Sequence, residues 1–113
     1  MIFNDIIEFH AALPRFAPLA GLDLGTKTIG VSVCDALRTV ASPLSTIRRE
    51  KFTVDAAALL KIVAEREIKG LILGLPMNMD GSEGPRCQST RAFARNLEKL
   101  TPLPIGFWDE RLS

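Results

Sequence analysis

Histidine occurs once and cysteine twice, and neither sign of charge predominates, since fourteen Lys and Arg against thirteen Asp and Glu leave +1. His10, Cys34 and Cys87 are far apart and form no CxxC pair, so a zinc site with the usual Cys/His spacing is excluded. With no second histidine, a Ser-His-Asp mechanism lacks a base outside the first dozen residues, and both cysteines read as small packed residues rather than nucleophiles. No stretch approaches the ~18 uninterrupted apolar residues of a membrane span. The opening MIFNDIIEFHAALPRF sets Asp5 and Glu8 inside its apolar pattern and so is not read as a secretory leader. The cytoplasm, where thiols stay reduced, is the expected compartment, with no membrane partner. Without an overall basic excess, any affinity for nucleic acid has to come from a local patch.

What is present is a chain of 113 residues, 47% hydrophobic and 24% charged. That length fits one α/β domain which buries roughly two thirds of its unfolded surface without metals or disulfides. Ile2, Ile6, Phe9 and Leu13 recur at helical spacing before Pro14, so residues 1–18 are expected to form a short helical appendage. Residues 19–113 are expected to form the main domain. It opens with three β-rich runs, GLDLG, TIGVSVCD and RTVASPLSTI, separated by Gly25-Thr26-Lys27 and by the Asp35 to Arg38 region, which predicts an antiparallel meander. A helix from about Thr53 to Glu67, the strand LILGL at 71–75, a helix from Pro85 and a strand over Pro104 to Asp109 follow. Strand-helix-strand units with apolar strands imply parallel crossovers, so the sum is a mixed sheet, with the last strand outside LILGL.

Asp23 lies in the apolar run Leu19 to Gly25, where a carboxylate costs several kcal/mol unless something compensates it. A structural Asp bonded to the following turn and a metal ligand are both open on placement alone. The segment GLDLGTKT is superficially like a phosphate-binding P-loop, but position 26 is Thr and Thr28 to Val33 alternates as a strand where that motif requires a helix. In a strand-turn-strand reading, Asp23 is held rigidly while the turn amides, Thr26 and Lys27 can face an anion. Asn78 to Gly84 is a turn-rich loop leading to a helix start at Arg86, a place suited to phosphate. Arg91, Arg95 and Lys99 repeat at i, i+4, i+8, which reads as a solvated helix face. Arg48, Arg49 and Lys51 form another basic cluster, which without interleaved aromatics is weak evidence of single-strand binding.

GLDLGTKTIGVSVCD at 21–35, LILGLPMNMDGSEGPR at 71–86 and FWDERLS at 107–113 together resemble the YqgF/RuvX family. The resemblance covers about Ala20 to Ser113. It implies a ribonuclease H-like fold and a metal-dependent nuclease acting on structured RNA, in 5′ processing of pre-16S ribosomal RNA, or on branched DNA as a Holliday junction resolvase. By position, it implies that Asp23 and Glu110, the latter in the Asp-Glu-Arg of the last strand, are catalytic and hold Mg²⁺ or Mn²⁺. Paired oxygen ligands of this kind suit a hard cation that assists phosphodiester hydrolysis. Lys27, Arg86 and Arg111 are the candidates for balancing phosphate charge. Asp109 would face away from Glu110 on a regular strand and reads as structural.

Two departures from the family pattern bear on the site. The position after the first helix where related nucleases carry a carboxylate reads Gly74-Leu75-Pro76, with Asp80 and Glu83 only in the following loop, so Glu83 is the reserve ligand. The family also continues beyond Asp-Glu-Arg into a helical region that supplies a third acid. The chain is therefore expected to look C-terminally truncated, with little intrinsic nuclease activity, and a homo-oligomer is left open. Two other classes compete: a non-catalytic nucleic-acid-binding module, and an ATP-binding domain of the actin, Hsp70 and sugar-kinase type, whose first strand also resembles GLDLGTK but which needs two such domains.

Overall fold

A computed structural model describes residues 1–15, 17–34 and 41–112. Its sheet of six strands runs in the order β1-β6-β5-β2-β3-β4, formed by β1 (Ile2–Phe3), β2 (Leu19–Leu24), β3 (Thr28–Cys34), β4 (Ala41–Arg48), β5 (Gly70–Leu75) and β6 (Ile105–Asp109). The antiparallel meander is β2-β3-β4, and β2, β5, β6 and β1 pair in parallel. The expected turn over Asp35 to Arg38 lies outside the described residues. Thr28 to Val33 is strand, as its β-branched alternation requires and as a P-loop would not be.

Alternation gives the sheet two different faces. Ala20, Leu22, Leu24, Ile29, Val31, Leu71, Leu73, Leu75, Ile105 and Phe107 point to one side and form the core. Helices α2 (Phe52–Glu65) and α3 (Pro85–Glu98) cover that side with Ala56, Leu59, Cys87, Phe93, Ala94 and Leu97. The Phe52 and Phe93 rings join the two helices edge to face, with centroids 5.3 Å apart. Asp55, only 2% exposed, accepts the Glu50 amide at 3.0 Å and so fastens the chain entering α2.

The other face carries Gly21, Gly30, Gly70, Gly74 and Gly106, and helix α1 (Ile6–Ala11) packs onto one end of it. Phe9 is fully buried there, and a Cβ on Gly106 or Gly70 would meet its ring at 2.8 and 3.2 Å. Asp5 caps this short helix by accepting the Ile7 amide at 2.9 Å. Residues 1–18 were expected to be helical only. They also contribute β1, whose Ile2 and Phe3 lie beside Ile105 and Gly106 at the sheet edge. Two residues are too few to show an alternation, so this strand has no periodic signal in the sequence.

A candidate carboxylate centre on the open sheet face

Asp23 sits on β2 opposite Gly30 of β3. A central strand is a rigid mount, and the missing side chain at Gly30 leaves the aspartate room: a Cβ there would stand 3.7 Å from the Asp23 Cβ. Glu110 arrives from the end of β6, two strands away across β5. It was expected within the last strand, but β6 ends at Asp109 and Glu110 begins a 3₁₀ turn, Glu110–Leu112. Asp109 stops the strand by accepting the Arg111 amide at 3.0 Å, a cap that turns the chain back across the sheet end.

That change of direction brings Glu110 over β5. Its carboxylate occupies the space a Cβ on Gly74 would fill. The absence of a carboxylate at Gly74, a departure from the family pattern in the sequence, thus has a steric reason: the glycine makes room for an acid supplied by the turn that follows β6. The Glu110 carboxyl is pushed above the ordinary glutamate value, chiefly by burial and next by the charge of Asp23 beside it, while Arg86 acts in the opposite sense. A carboxyl whose ionisation is opposed by burial and by a neighbouring acid in a cleft is an arrangement typical of functional sites. An open cavity of about 480 Å³ surrounds them, lined also by Gly21, Ser32, Ile72 and the part-exposed Trp108.

The other expected residues fall into two groups. Lys27 is exposed in the β2–β3 turn, and Arg86, at the start of α3, donates to the Leu24 carbonyl at 3.3 Å, so both lie at the same end of β2 as Asp23. Arg111 is engaged elsewhere: it pairs with Asp109 at 2.6 Å and donates to the Asn78 and Met79 carbonyls at 3.4 and 3.2 Å. It ties the 3₁₀ turn to the loop 78–84. Glu83, the reserve ligand, is bound to Arg91 through two charge-assisted hydrogen bonds of 2.7 and 2.8 Å, which hold its pKa down. Arg91 also donates to Asn4 at 2.8 Å and lies over the Phe107 ring, so this member of the supposed solvated stripe is a tether. The loop is held by its own bonds: Asp80 accepts from the Ser82 amide and hydroxyl at 2.9 and 2.6 Å, and Gly81 takes a φ of 89° that favours glycine.

Among the described residues, no group of three or more His, Cys, Asp or Glu converges as a metal cluster. The carboxylate pair nevertheless suits a hard divalent ion. Mg²⁺ is commonly held by one or two carboxylates, completed by water and substrate phosphate oxygens, and an ion between Asp23 and Glu110 would relieve their mutual repulsion. Sequence reasoning found both acids but missed Gly30 and Gly74. The available signal was a glycine inside each of two otherwise apolar or β-branched strands, which marks a close approach.

The fold and the motifs have counterparts. A family model described as "RuvX: Holliday junction resolvase" matches residues 17–113. A Rhodobacter capsulatus protein named "Putative pre-16S rRNA nuclease" is 74% identical over 113 residues, which are all of this chain and 71% of that protein. A protein of the same name from Paracoccus denitrificans is 73% identical over the same span, 72% of its length. Thermus thermophilus RuvC, solved in complex with a Holliday junction substrate, superposes with a TM-score of 0.56 at 12% identity, over 82% of this chain and 64% of that one. At that identity the likeness establishes the ribonuclease H-like fold and nothing further. The sequence match runs from the strand that carries Asp23 to the turn that carries Glu110, and on it the chain belongs to the RuvX family.

Proposed function

We propose that this chain is a metal-dependent nuclease domain that hydrolyses phosphodiester bonds in the 5′ region of pre-16S ribosomal RNA, with Asp23 and Glu110 as its metal-binding and catalytic carboxylates. The observation that carries the reading is the convergence of these two acids, one from β2 and one from the 3₁₀ turn after β6, over glycines that leave them space, in an open cleft. The names borne by its relatives supply the substrate. Residues 19–113 carry the catalytic elements, and residues 1–18 cover one end of the open face.

A bound Mg²⁺ or Mn²⁺ would supply an activated water and neutralise charge on the phosphate. The protein's part is to hold two ligand oxygens on rigid mounts and to keep Arg86 beside them, where its charge favours the ionised form of Glu110. Lys27 stands at the same end of β2, where it can meet a phosphate. Arg111 contributes by fastening the turn that delivers Glu110.

The test is cleavage of an end-labelled pre-16S 5′ fragment with Mg²⁺ or Mn²⁺. In a protein extended past Ser113 to the length of its relatives, since little cleavage is expected of residues 1–113 alone, we expect metal-dependent cleavage that falls by at least about two orders of magnitude in Asp23→Asn, with the melting temperature preserved. Undiminished cleavage by the variant overturns the assignment. The family description favours a second reading, resolution of branched DNA. A four-way junction offered in the same assay, and cut in preference to the RNA, would establish it. Binding of ATP without cleavage of either substrate would instead support the nucleotide-binding class.

A further inference from the structure

Two cavities open at the end of the sheet where β2 turns into β3, next to the carboxylate pair. One, of about 140 Å³, is lined by Gly25, Thr26, Arg49, Arg86 and Ser89. The other, of about 530 Å³, is lined by Thr26, Lys27, Thr46, Arg48 and Arg49. Thr26 and Arg49 belong to both, so the two form one continuous trough.

Charge is concentrated along it. Lys27, Arg48, Arg49 and Arg86 belong to no ion pair among the described residues, whereas Arg91 and Arg111 are both committed to carboxylates. In a chain with a net charge of only +1, four such cations on one trough amount to a local positive field. The two arginines that flank its narrow part are also aimed. Arg49 donates to the Gly25 carbonyl at 2.7 Å and Arg86 to the Leu24 carbonyl at 3.3 Å. A carbonyl fixes a guanidinium without neutralising it, and one or two bonds leave most of its five N–H donors for another acceptor. Thr26 and Ser89 add hydroxyl donors, completing the inventory a phosphate group needs.

The placement relative to the acids is also informative. Gly25 lies two residues beyond Asp23, about 7 Å along the chain, so a strand with one phosphate at the acids would carry a neighbouring phosphate toward the trough. No aromatic side chain lines either cavity, which favours contact with the backbone over stacking of bases.

We infer that this trough is the track for the phosphate backbone next to the scissile bond, with Arg49 and Arg86 holding the nearer phosphate and Lys27 and Arg48 the farther one. The inference rests on the nuclease reading above, adds Arg48 and Arg49 to the binding residues, and takes Arg111 out of them.

The experiment is fluorescence anisotropy of a labelled single strand of about 12 nucleotides, as RNA and as DNA of the same sequence, titrated with the full chain in chelator at several salt concentrations. Arg86→Gln and Arg49→Gln should each lower the slope of log affinity against log salt by about 0.7 and weaken RNA and DNA alike. Ser89→Asp, which removes no cation and places a negative charge in the narrow cavity, should weaken both strands as well. It keeps the test open if Arg49→Gln disturbs the turn. Arg95→Gln, on the exposed part of α3, should bind as the unmodified chain does. Unchanged slopes in Arg86→Gln and Ser89→Asp, a loss confined to one kind of strand, or no binding by the unmodified chain each overturn the track. Cleavage of the pre-16S fragment run on the same variants separates the two ideas: full cleavage by Arg86→Gln with unchanged binding removes the track and leaves the nuclease reading standing.

Discussion

Glu110 owes its position to what neighbouring residues lack. Its carboxylate fills the space above Gly74, so Gly74→Ala puts a methyl group where the acid must sit. Replacing a strand glycine by alanine ordinarily stabilises a strand by reducing the freedom of the unfolded chain. Here the melting temperature should hold or rise slightly while cleavage falls by about 10²-fold, the usual cost of misplacing a catalytic group by about an ångström. A thermal melt and a cleavage assay on the same preparation check both halves. Glu110 also leaves a mark on stability. Burial and the Asp23 charge raise its folded pKa above its unfolded one, so the native state binds the proton more tightly. Stability is therefore lost as pH rises through the window that starts at the ordinary glutamate value, and it returns on acidification. In chelator, Glu110→Gln should melt higher than the unmodified chain near neutral pH, and the gap should close at mildly acidic pH. A gap that widens on acidification would show that the carboxylate is not opposed by Asp23.

At the scale of elements, α1 and β1 depend on one side chain. Phe9 seats on Gly70 and Gly106, and nothing else from α1 is buried. Phe9→Ala should cost about 3 kcal/mol or more, measured by denaturant unfolding, because the bare glycines beneath it cannot close the gap. The same comparison shows where the sequence was legible. Asp23 stood out because a carboxylate inside an apolar strand demands an explanation, and Thr28 to Val33 was recognisably a strand because its β-branched alternation suits a pleated surface and not a helix. The helices and the parallel strands were legible from their periods and from Pro85 and Gly70. β1 was not, since pairing with β6 is a tertiary event that two residues cannot announce. The 3₁₀ turn at Glu110 was hidden for a related reason: FWDE continues a strand pattern, and only the Asp109 side chain bonding to the Arg111 amide stops it. The engagement of Glu83 by Arg91, eight positions on, and of Arg111 by loop carbonyls more than thirty positions back depends on how the chain folds, so no local pattern could separate these side chains from the ones that face the cleft.

For the molecule as a whole, division of labour between the two faces of the sheet explains how a chain of 113 residues can be both stable and chemically equipped. Two helices seal one face into a continuous apolar core, while the other is glycine-rich, covered at one end by Phe9 and open at the other around the acids. No helix among the described residues is long and apolar enough to cross a membrane. We propose that Asp23 and Glu110 together form a seat for a divalent ion. Calorimetric titration of Mn²⁺ into the unmodified chain, Asp23→Asn and Glu110→Gln tests it without requiring turnover. Saturable binding by the unmodified chain, weakened at least about tenfold in each variant whose fold is intact by circular dichroism, is the predicted result, since each substitution removes an anionic oxygen the ion needs. Binding of equal strength in all three proteins would contradict the account.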